Sequence, residues 1–417
     1  MKVAIVHRRE KGEESNLAEL KELCKTAGYQ VVYELTQVRE SHPKYDIGPG
    51  KIKILKDAIK RFGIEKVIFE NDIKPVQEYN LAKVLQVPII SRIRLILEIF
   101  SKHASSIEAK LQIKLAELMY ELPRVKEKVR LAKKGEQPGF HGLGMYDAEV
   151  YYLHIKRRIA IINKKLEVIR KRRIRLREGR KINGIPLITI TGYTNAGKST
   201  LFKALTKSEV KISPLLFTTL SPKTKMIKID GKPVFISDTI GFIKNLPTLL
   251  IEAFHSTLEE ISYSDLIILI VDVSESIEEI LNKIYCSLSI LREINVFEIP
   301  ILVVLNKIDK ISIEELREKE EKLSNLNLPY VAISALEKIN IEDLINKLSL
   351  MLSNNYVKIH AVLESLKENF SILSNILKYS KIISFSNNEK GIEVELETLP
   401  FFAEKLRSMA TSYNVKS

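Results

Sequence analysis

The stretch Leu187-Ile188-Thr189-Ile190-Thr191, followed without interruption by Gly192-Tyr193-Thr194-Asn195-Ala196-Gly197-Lys198-Ser199, decides the fold. The first five residues read as a short buried strand. The next eight are G-x-x-x-x-G-K-S, and an apolar helical pattern follows. Strand, glycine-rich loop and helix in that order form a phosphate-binding loop. Its glycines let backbone N–H groups wrap an oligophosphate, and the helix N-terminus adds partial positive charge. Lys198 is placed to reach the β- and γ-phosphates and Ser199 to ligate Mg²⁺. Thr200, the next residue, completes the expected nucleotide contacts.

Three further motifs follow. Asp238-Thr239-Ile240-Gly241 ends the apolar run VFIS (234–237). A carboxylate there can hold Mg²⁺ through water, and the Gly241 N–H can meet a γ-phosphate. Asn306-Lys307-Ile308-Asp309 follows ILVVL (301–305). Asp309 can accept two N–H bonds from guanine; adenine lacks that donor pair and leaves the carboxylate unpaired. Ser334-Ala335-Leu336 follows YVAIS (330–334) and backs the base from the other side. Together they predict a guanine-nucleotide site at the C-terminal ends of strands, where open α/β sheets bind ligands. Phe217-Thr218-Thr219-Leu220 lies between the loop helix and the next strand. A threonine here can complete the Mg²⁺ shell.

Outward from the loop, residues 182–354 alternate strand and helix patterns, which predicts an open, mostly parallel sheet with helices on both faces. Residues 1–92 read as a smaller α/β subdomain. From about Ile93 to Lys181 the pattern is helical. Ile107, Leu111, Leu115, Leu118, Leu122, Val125 and Val129 form one stripe; Tyr151, Ile155, Ile159, Ile162, Leu166 and Ile169 form a second. A glycine-rich loop (134–147) separates them, so the segment predicts a long antiparallel helical hairpin. Pro123 is expected to kink or break the first arm. Residues 355–417 read as a small α+β tail with a hairpin at KIISFS and GIEVELE and a last helix near Phe401–Met409.

The chain has 417 residues and a net charge of +14. The excess is local. Residues 156–181 hold 13 Lys and Arg against two acidic residues, while residues 182–354 are net negative. Such an arm cannot neutralise itself, and nucleic-acid phosphate is its natural partner. Arg157, Arg158, Arg170, Arg172, Arg173 and Arg175 are the candidate RNA contacts. Tyr146, Tyr151 and Tyr152 either stack on bases or pack the arms together. A lipid surface needs one apolar face rimmed by cations. RKRRIRLR (170–177) offers only Ile174 and Leu176, two residues apart, which disfavours it. Cys24 and Cys286 are the only cysteines, so no disulfide scaffold and no cysteine zinc site is expected. No apolar run is long enough to cross a membrane, and a cytoplasmic location is expected.

The motifs DTIGFIKNLPTLLIEAFHSTLEE (238–260), FTTLSPKTK (217–225) and SSIEAKLQIKLAELMYELPRV (105–125) resemble the HflX family of ribosome-associated GTPases, in the Obg-HflX group of P-loop GTPases. The third segment is not shared by GTPases in general. IGPGK (47–51) and PVQEYNLAKVL (75–85) are also similar to the family's N-terminal unit. The resemblance implies GTP hydrolysis with Lys198, Thr219 and Gly241 as catalytic groups and Mg²⁺ held by Ser199, Thr219 and Asp238. Thr219 rather than Thr218 takes the switch role by alignment with the family's FxTL segment. The implied partner is the ribosome, mainly its large-subunit RNA, met by a monomer, with a role in splitting, rescue or assembly under stress. The alternative is a GTP-binding switch for a protein or membrane partner; an RNA-remodelling ATPase on the N-terminal unit is weaker. Phe242 stands where many GTPases carry a water-orienting Gln, so intrinsic hydrolysis is expected to be slow and partner-stimulated. GTPases with that replacement and an Asn in the loop often bind K⁺ beside the phosphates. Asn195 holds that position, or it only orders the loop. IGPGK is either a phosphate turn or a plain one. Gly144-Met145-Tyr146-Asp147-Ala148-Glu149 departs from the family's GETQLE-like stretch, and Ser91-Arg92 from its usual aspartate.

Overall fold

The computed structural model describes residues 1–12, 17–133, 145–207, 223–239, 241–243, 248–296, 298–363, 374, 376–388, 391–408, 410 and 412–416. The chain divides into two compact units, one built mainly from Met1–Ile169 and one mainly from Arg170 onward.

In the first unit, β1 (Lys2–Arg9), α1 (Leu17–Thr26), β2 (Gln30–Val38), α2 (Pro49–Phe62), β3 (Lys66–Phe69), α3 (Pro75–Leu85) and β4 (Ile89–Ser91) alternate along the chain. The strands form a parallel sheet in the order β2-β1-β3-β4. Ala4, Val6, Val67 and Phe69 pack against Leu55 of α2 and Leu81 of α3. Parallel strands are covered on their faces, which is why VAIVH and VIF are apolar without alternation.

The helical region begins as α4 (Arg92–His103), stops at 104–106, and resumes as α5 (Ile107–Lys133) and α6 (Met145–Asn183). The two predicted stripes meet. Leu115, Leu118 and Val125 of α5 are buried with Ile155 and Ile162 of α6. Tyr152 joins this cluster and the Tyr151 hydroxyl donates to Glu121 at 2.8 Å, so both tyrosines pack the arms. The break that Pro123 allows is corrected: α5 runs through it as one helix. Proline costs roughly 3 kcal/mol in a helix interior. Burial of Leu118 and Val125 on either side offsets this. Residues 134–144 of the glycine-rich loop, His141 among them, and the Tyr146 side chain lie outside the described residues.

Along the rest of the chain, β5 (Leu187–Gly192), α7 (Lys198–Thr206), β6 (Lys223–Ile229), β7 (Lys232–Asp238), α8 (Thr248–Leu258), β8 (Leu266–Asp272), α9 (Ile277–Glu293), β9 (Ile301–Asn306), α10 (Ile313–Ser324), β10 (Tyr330–Ile333) and α11 (Ile341–Met351) follow in order; residues 248–254 of α8 belong to the first unit and the other elements to the second. Six strands form a sheet ordered β10-β9-β8-β5-β7-β6. All neighbours are parallel except β6, which pairs antiparallel with β7 at the edge. The turn between them is Asp230-Gly231, both at positive φ, which suits a two-residue hairpin loop. Ile188, Ile190, Ile268, Val304 and Ile236 form the core under α7 and α11.

The tail contains β11 (Val357–Leu363), β12 (Lys381–Asn388), β13 (Gly391–Thr398), α12 (Pro400–Arg407) and β14 (Ser412–Lys416). The expected hairpin is β12–β13, within an antiparallel sheet ordered β12-β13-β11-β14. Ile359, Val394 and Leu396 face Phe402 and Leu406 of α12. Among the described residues no helix is long and apolar enough to cross a membrane.

Candidate functional site

β5 is central, paired with β7 on one side and β8 on the other, and delivers the glycine-rich loop at the C-terminal edge of the sheet. Asn195 sits in the left-handed region (φ 64°) and Gly197 at φ 103°. A Cβ at Gly197 would collide with the Asn306 side-chain amide, so only glycine lets the two loops approach. α7 starts at Lys198, so the free N–H groups of its first turn face the loop's concavity.

Lys198 is 7% exposed, and its ammonium donates to the Tyr193 carbonyl. Burial pulls its pKa down to about 8; Asp238 opposes the fall and Lys307 adds to it. A cation held this way is poised to exchange a carbonyl for a phosphate. The Ser199 hydroxyl donates to Asp238 Oδ2 at 2.9 Å. A hydroxyl and a carboxylate at that separation offer the hard oxygen ligands that suit Mg²⁺, so this pair fits the metal the fold implies. Thr219 and the rest of 208–222 lie outside the described residues, as do Ile240 and 244–247.

Gly241 lies against the loop; a Cβ there would stand 2.7 Å from Lys198 Nζ. Phe242 is 1% exposed. Its N–H donates to the Gly192 carbonyl at 3.0 Å, and its carbonyl accepts from the Thr194 N–H at 2.8 Å. The sequence shows that Phe242 cannot polarise water, but not this strand-like bridge to Tyr193.

The base loops are bound to the phosphate loop. Asn306 donates to the Ala196 carbonyl at 2.8 Å and accepts from the Ala335 N–H at 2.9 Å. The Ser334 hydroxyl donates to Asp309 Oδ1 at 2.5 Å and accepts from the Glu337 N–H at 3.1 Å. Asp309 is thereby oriented with its second oxygen available to a base edge. Leu336 is 65% exposed beside it. Lys307, at φ 72°, pairs with Asp272 at 2.5 Å. Burial works against the Asp272 carboxylate, yet Lys307 and the Ser274 hydroxyl and N–H hold its pKa below the ordinary range. Asp272 is a residue of the site that the motifs alone do not reveal. Its signal is the carboxylate ending the apolar strand LIILIVD, opposite Asn306 in the β8–β9 register.

The candidate RNA contacts are divided. Arg157, Arg158, Arg172 and Arg175 are exposed on α6 with no ion pair among the described residues. Arg170 pairs with Glu259 at 2.7 Å, and the Arg173 side chain lies outside the described ones. IGPGK forms the start of α2, where the Gly48 N–H donates to Gln37 at 2.9 Å.

A phosphate loop, a D-x-x-G carboxylate on the adjacent strand and an N-K-x-D loop tied to the phosphate loop define a P-loop GTPase. Family models described as "GTP-binding GTPase N-terminal", "GTP-binding GTPase Middle Region" and "50S ribosome-binding GTPase" match residues 14–101, 103–180 and 187–307. The chain is 43% identical to GTPase HflX of Methanocaldococcus jannaschii, over 93% of this chain and 97% of that protein. It is 41% identical to GTPase HflX of Thermofilum pendens, over 92% and 91% of the two chains. A crystal structure of SsGBP with GDP superposes with a TM-score of 0.50 at 34% identity, covering 85% of this chain and 99% of that one. The chain belongs to the HflX family of GTPases, and its reaction is hydrolysis of GTP to GDP and phosphate.

Proposed function

We propose that this chain is a ribosome factor whose GTP state controls engagement of the large subunit, acting in splitting, rescue or assembly under stress. The observation that carries this reading is the charge of α6. Four arginines stand exposed on one helix, whereas the GTPase sheet region is net negative. The "50S ribosome-binding GTPase" description of the matching family model supports it. On this reading the chain has four parts, at 1–92, 93–181, 182–354 and 355–417.

In the nucleotide site, Gly192 to Thr200 surround the phosphates, with the Lys198 ammonium and Gly241 N–H at the γ-phosphate. Asn306, Lys307, Asp309, Ser334, Ala335 and Leu336 form the base pocket. Ser199, Asp238 and Thr219 would hold Mg²⁺, which supplies charge neutralisation of the β- and γ-oxygens. Asn195, already in the left-handed region, presents its side chain where K⁺ could stand in for an arginine finger. Equal turnover in K⁺ and Na⁺ buffers sinks the K⁺ reading. Phe242 cannot orient the attacking water, so hydrolysis is slow until a partner acts on the segments 214–220 and 238–247.

Sedimentation with ribosomes and separated subunits tests the proposal. Binding to the large subunit with a non-hydrolysable GTP analogue, and loss of binding with GDP, is expected. Nucleotide-independent binding, or none, rejects it.

A further inference from the structure

Asp238 stands at the end of β7, and the other end of that strand is gripped by the C-terminal sheet. Lys232, the first residue of β7, is only 7% exposed. Its ammonium lies 2.8 Å from Glu397 of β13 and 5.1 Å from the centre of the Tyr356 ring. The Tyr356 hydroxyl donates to the Pro233 carbonyl at 2.6 Å. At the hairpin tip Asp230 accepts from Lys381 of β12 at 2.7 Å and from Ser349 at 3.5 Å. Both partners of the tip pair respond: Lys381 lowers the Asp230 pKa and Asp230 raises that of Lys381. Gly231 packs directly on the Lys381 side chain.

These contacts are not equal. The Asp230–Lys381 pair is surface-exposed and contributes little by itself. Lys232 is different. Its ammonium is buried, and removing the carboxylate would leave a buried charge uncompensated. The aromatic face adds a second, directional partner. The hairpin needs such an anchor. Among the described residues β6 is the sheet's edge strand and is paired on one side only, by β7. In the β6–β7 register Lys223 lies opposite Asp238, so the hairpin's open end holds the Asp238 carboxylate and the chain arriving from the Thr219 segment. The grip acts roughly 20 Å away, at about 3.3 Å per strand residue.

We propose that the C-terminal sheet positions the GTPase site, by holding the hairpin that carries Asp238 through Lys232, Glu397 and Tyr356. Glu397 and Tyr356 are positioning residues: they touch neither the phosphate loop nor the base loops. The inference stands on GTP hydrolysis alone and not on the ribosome as partner.

The test uses the full chain and three readouts: release of a fluorescent GDP analogue, single-turnover GTP hydrolysis and thermal melting. Glu397→Gln combined with Tyr356→Phe removes the charge partner and the hydroxyl while keeping shape. GDP release is expected to rise, and hydrolysis to fall, each roughly threefold to tenfold, the range of coupling through packed networks. Lys381→Arg keeps the tip charge and is expected to match the wild type. If the double variant melts earlier but releases GDP and hydrolyses GTP at wild-type rates, the grip is packing only and the proposal fails. If the double variant does not fold, Tyr356→Phe alone decides instead, since it removes only the hydroxyl that donates to the Pro233 carbonyl. Release at least about twofold faster supports the proposal, and an unchanged rate overturns it.

Discussion

Asn306 donates its side-chain amide to the Ala196 carbonyl and accepts the Ala335 N–H, so one side chain joins the phosphate loop to both base loops. All three segments belong to strand ends that are far apart in sequence. Asn306→Ala removes two buried hydrogen bonds and leaves a carbonyl and an N–H unsatisfied. The expected loss is about 1–3 kcal/mol of stability. GDP affinity should fall with it, because phosphate and base contacts are no longer held in one geometry. Thermal melting and titration with a fluorescent GDP analogue measure the two effects separately.

Lys198 gives the site a pH dependence. Its folded-state pKa of about 8 is depressed below the ordinary 10.5 by burial. In the free protein the charged form is disfavoured. The cost is present at neutral pH and is relieved as pH rises from about 8 to 10.5, where this group contributes increasing stability. Nucleotide phosphates reverse the preference, since they require the ammonium. Affinity for GDP should therefore decline as pH rises above 8. Binding near pH 8 should take up about half a proton at this residue. Calorimetry in buffers of different ionisation enthalpy reads that proton directly. Lys198→Met should abolish the uptake, apart from its effect on affinity.

The site is legible in the sequence where function is written in local patterns. G-x-x-x-x-G-K-S needs only its flanking strand and helix to be read, and both are present as β5 and α7. The apolar stripes of α5 and α6 are likewise visible, because a helix that buries one face repeats it every three or four residues. What escapes the sequence is pairwise and distant. Pro123 predicts a break by its own chemistry, yet tertiary packing on Leu118 and Val125 carries the helix through. Asp272 needs the β8–β9 register before it can be placed beside Lys307. Tyr151 and Tyr152 carry two readings that only their neighbours separate, and those neighbours are Glu121 and the arm core.

Asp309 is oriented by Ser334 before any base arrives. Preorganisation of this acceptor strengthens rejection of the wrong base, because adenine leaves it unpaired. Asp309→Ala should weaken GTP binding by roughly 100-fold or more while changing ATP binding little. Competition of each nucleotide against a fluorescent GDP analogue checks this. Ser334→Ala should produce a smaller loss in the same direction, since Asp309 then keeps its charge but not its orientation.

The charge on α6 makes a prediction that separates electrostatic binding from a merely soluble surface. Arg172 and Arg175 are exposed on the segment where basic residues are densest. If they meet phosphates, Arg172→Glu with Arg175→Glu should lower the salt dependence of RNA binding by roughly 0.7–0.9 in log–log slope for each phosphate no longer neutralised. Affinity at low salt should fall much more than at high salt. Arg170 serves as the internal comparison: it is already paired with Glu259, so Arg170→Gln should leave the slope nearly unchanged. Intrinsic GTP hydrolysis without RNA should be the same for the double variant and the wild type, because neither arginine touches the phosphate or base loops. An unchanged slope with unchanged hydrolysis would assign the arm's charge to solvation and leave the ribosome reading without its main support.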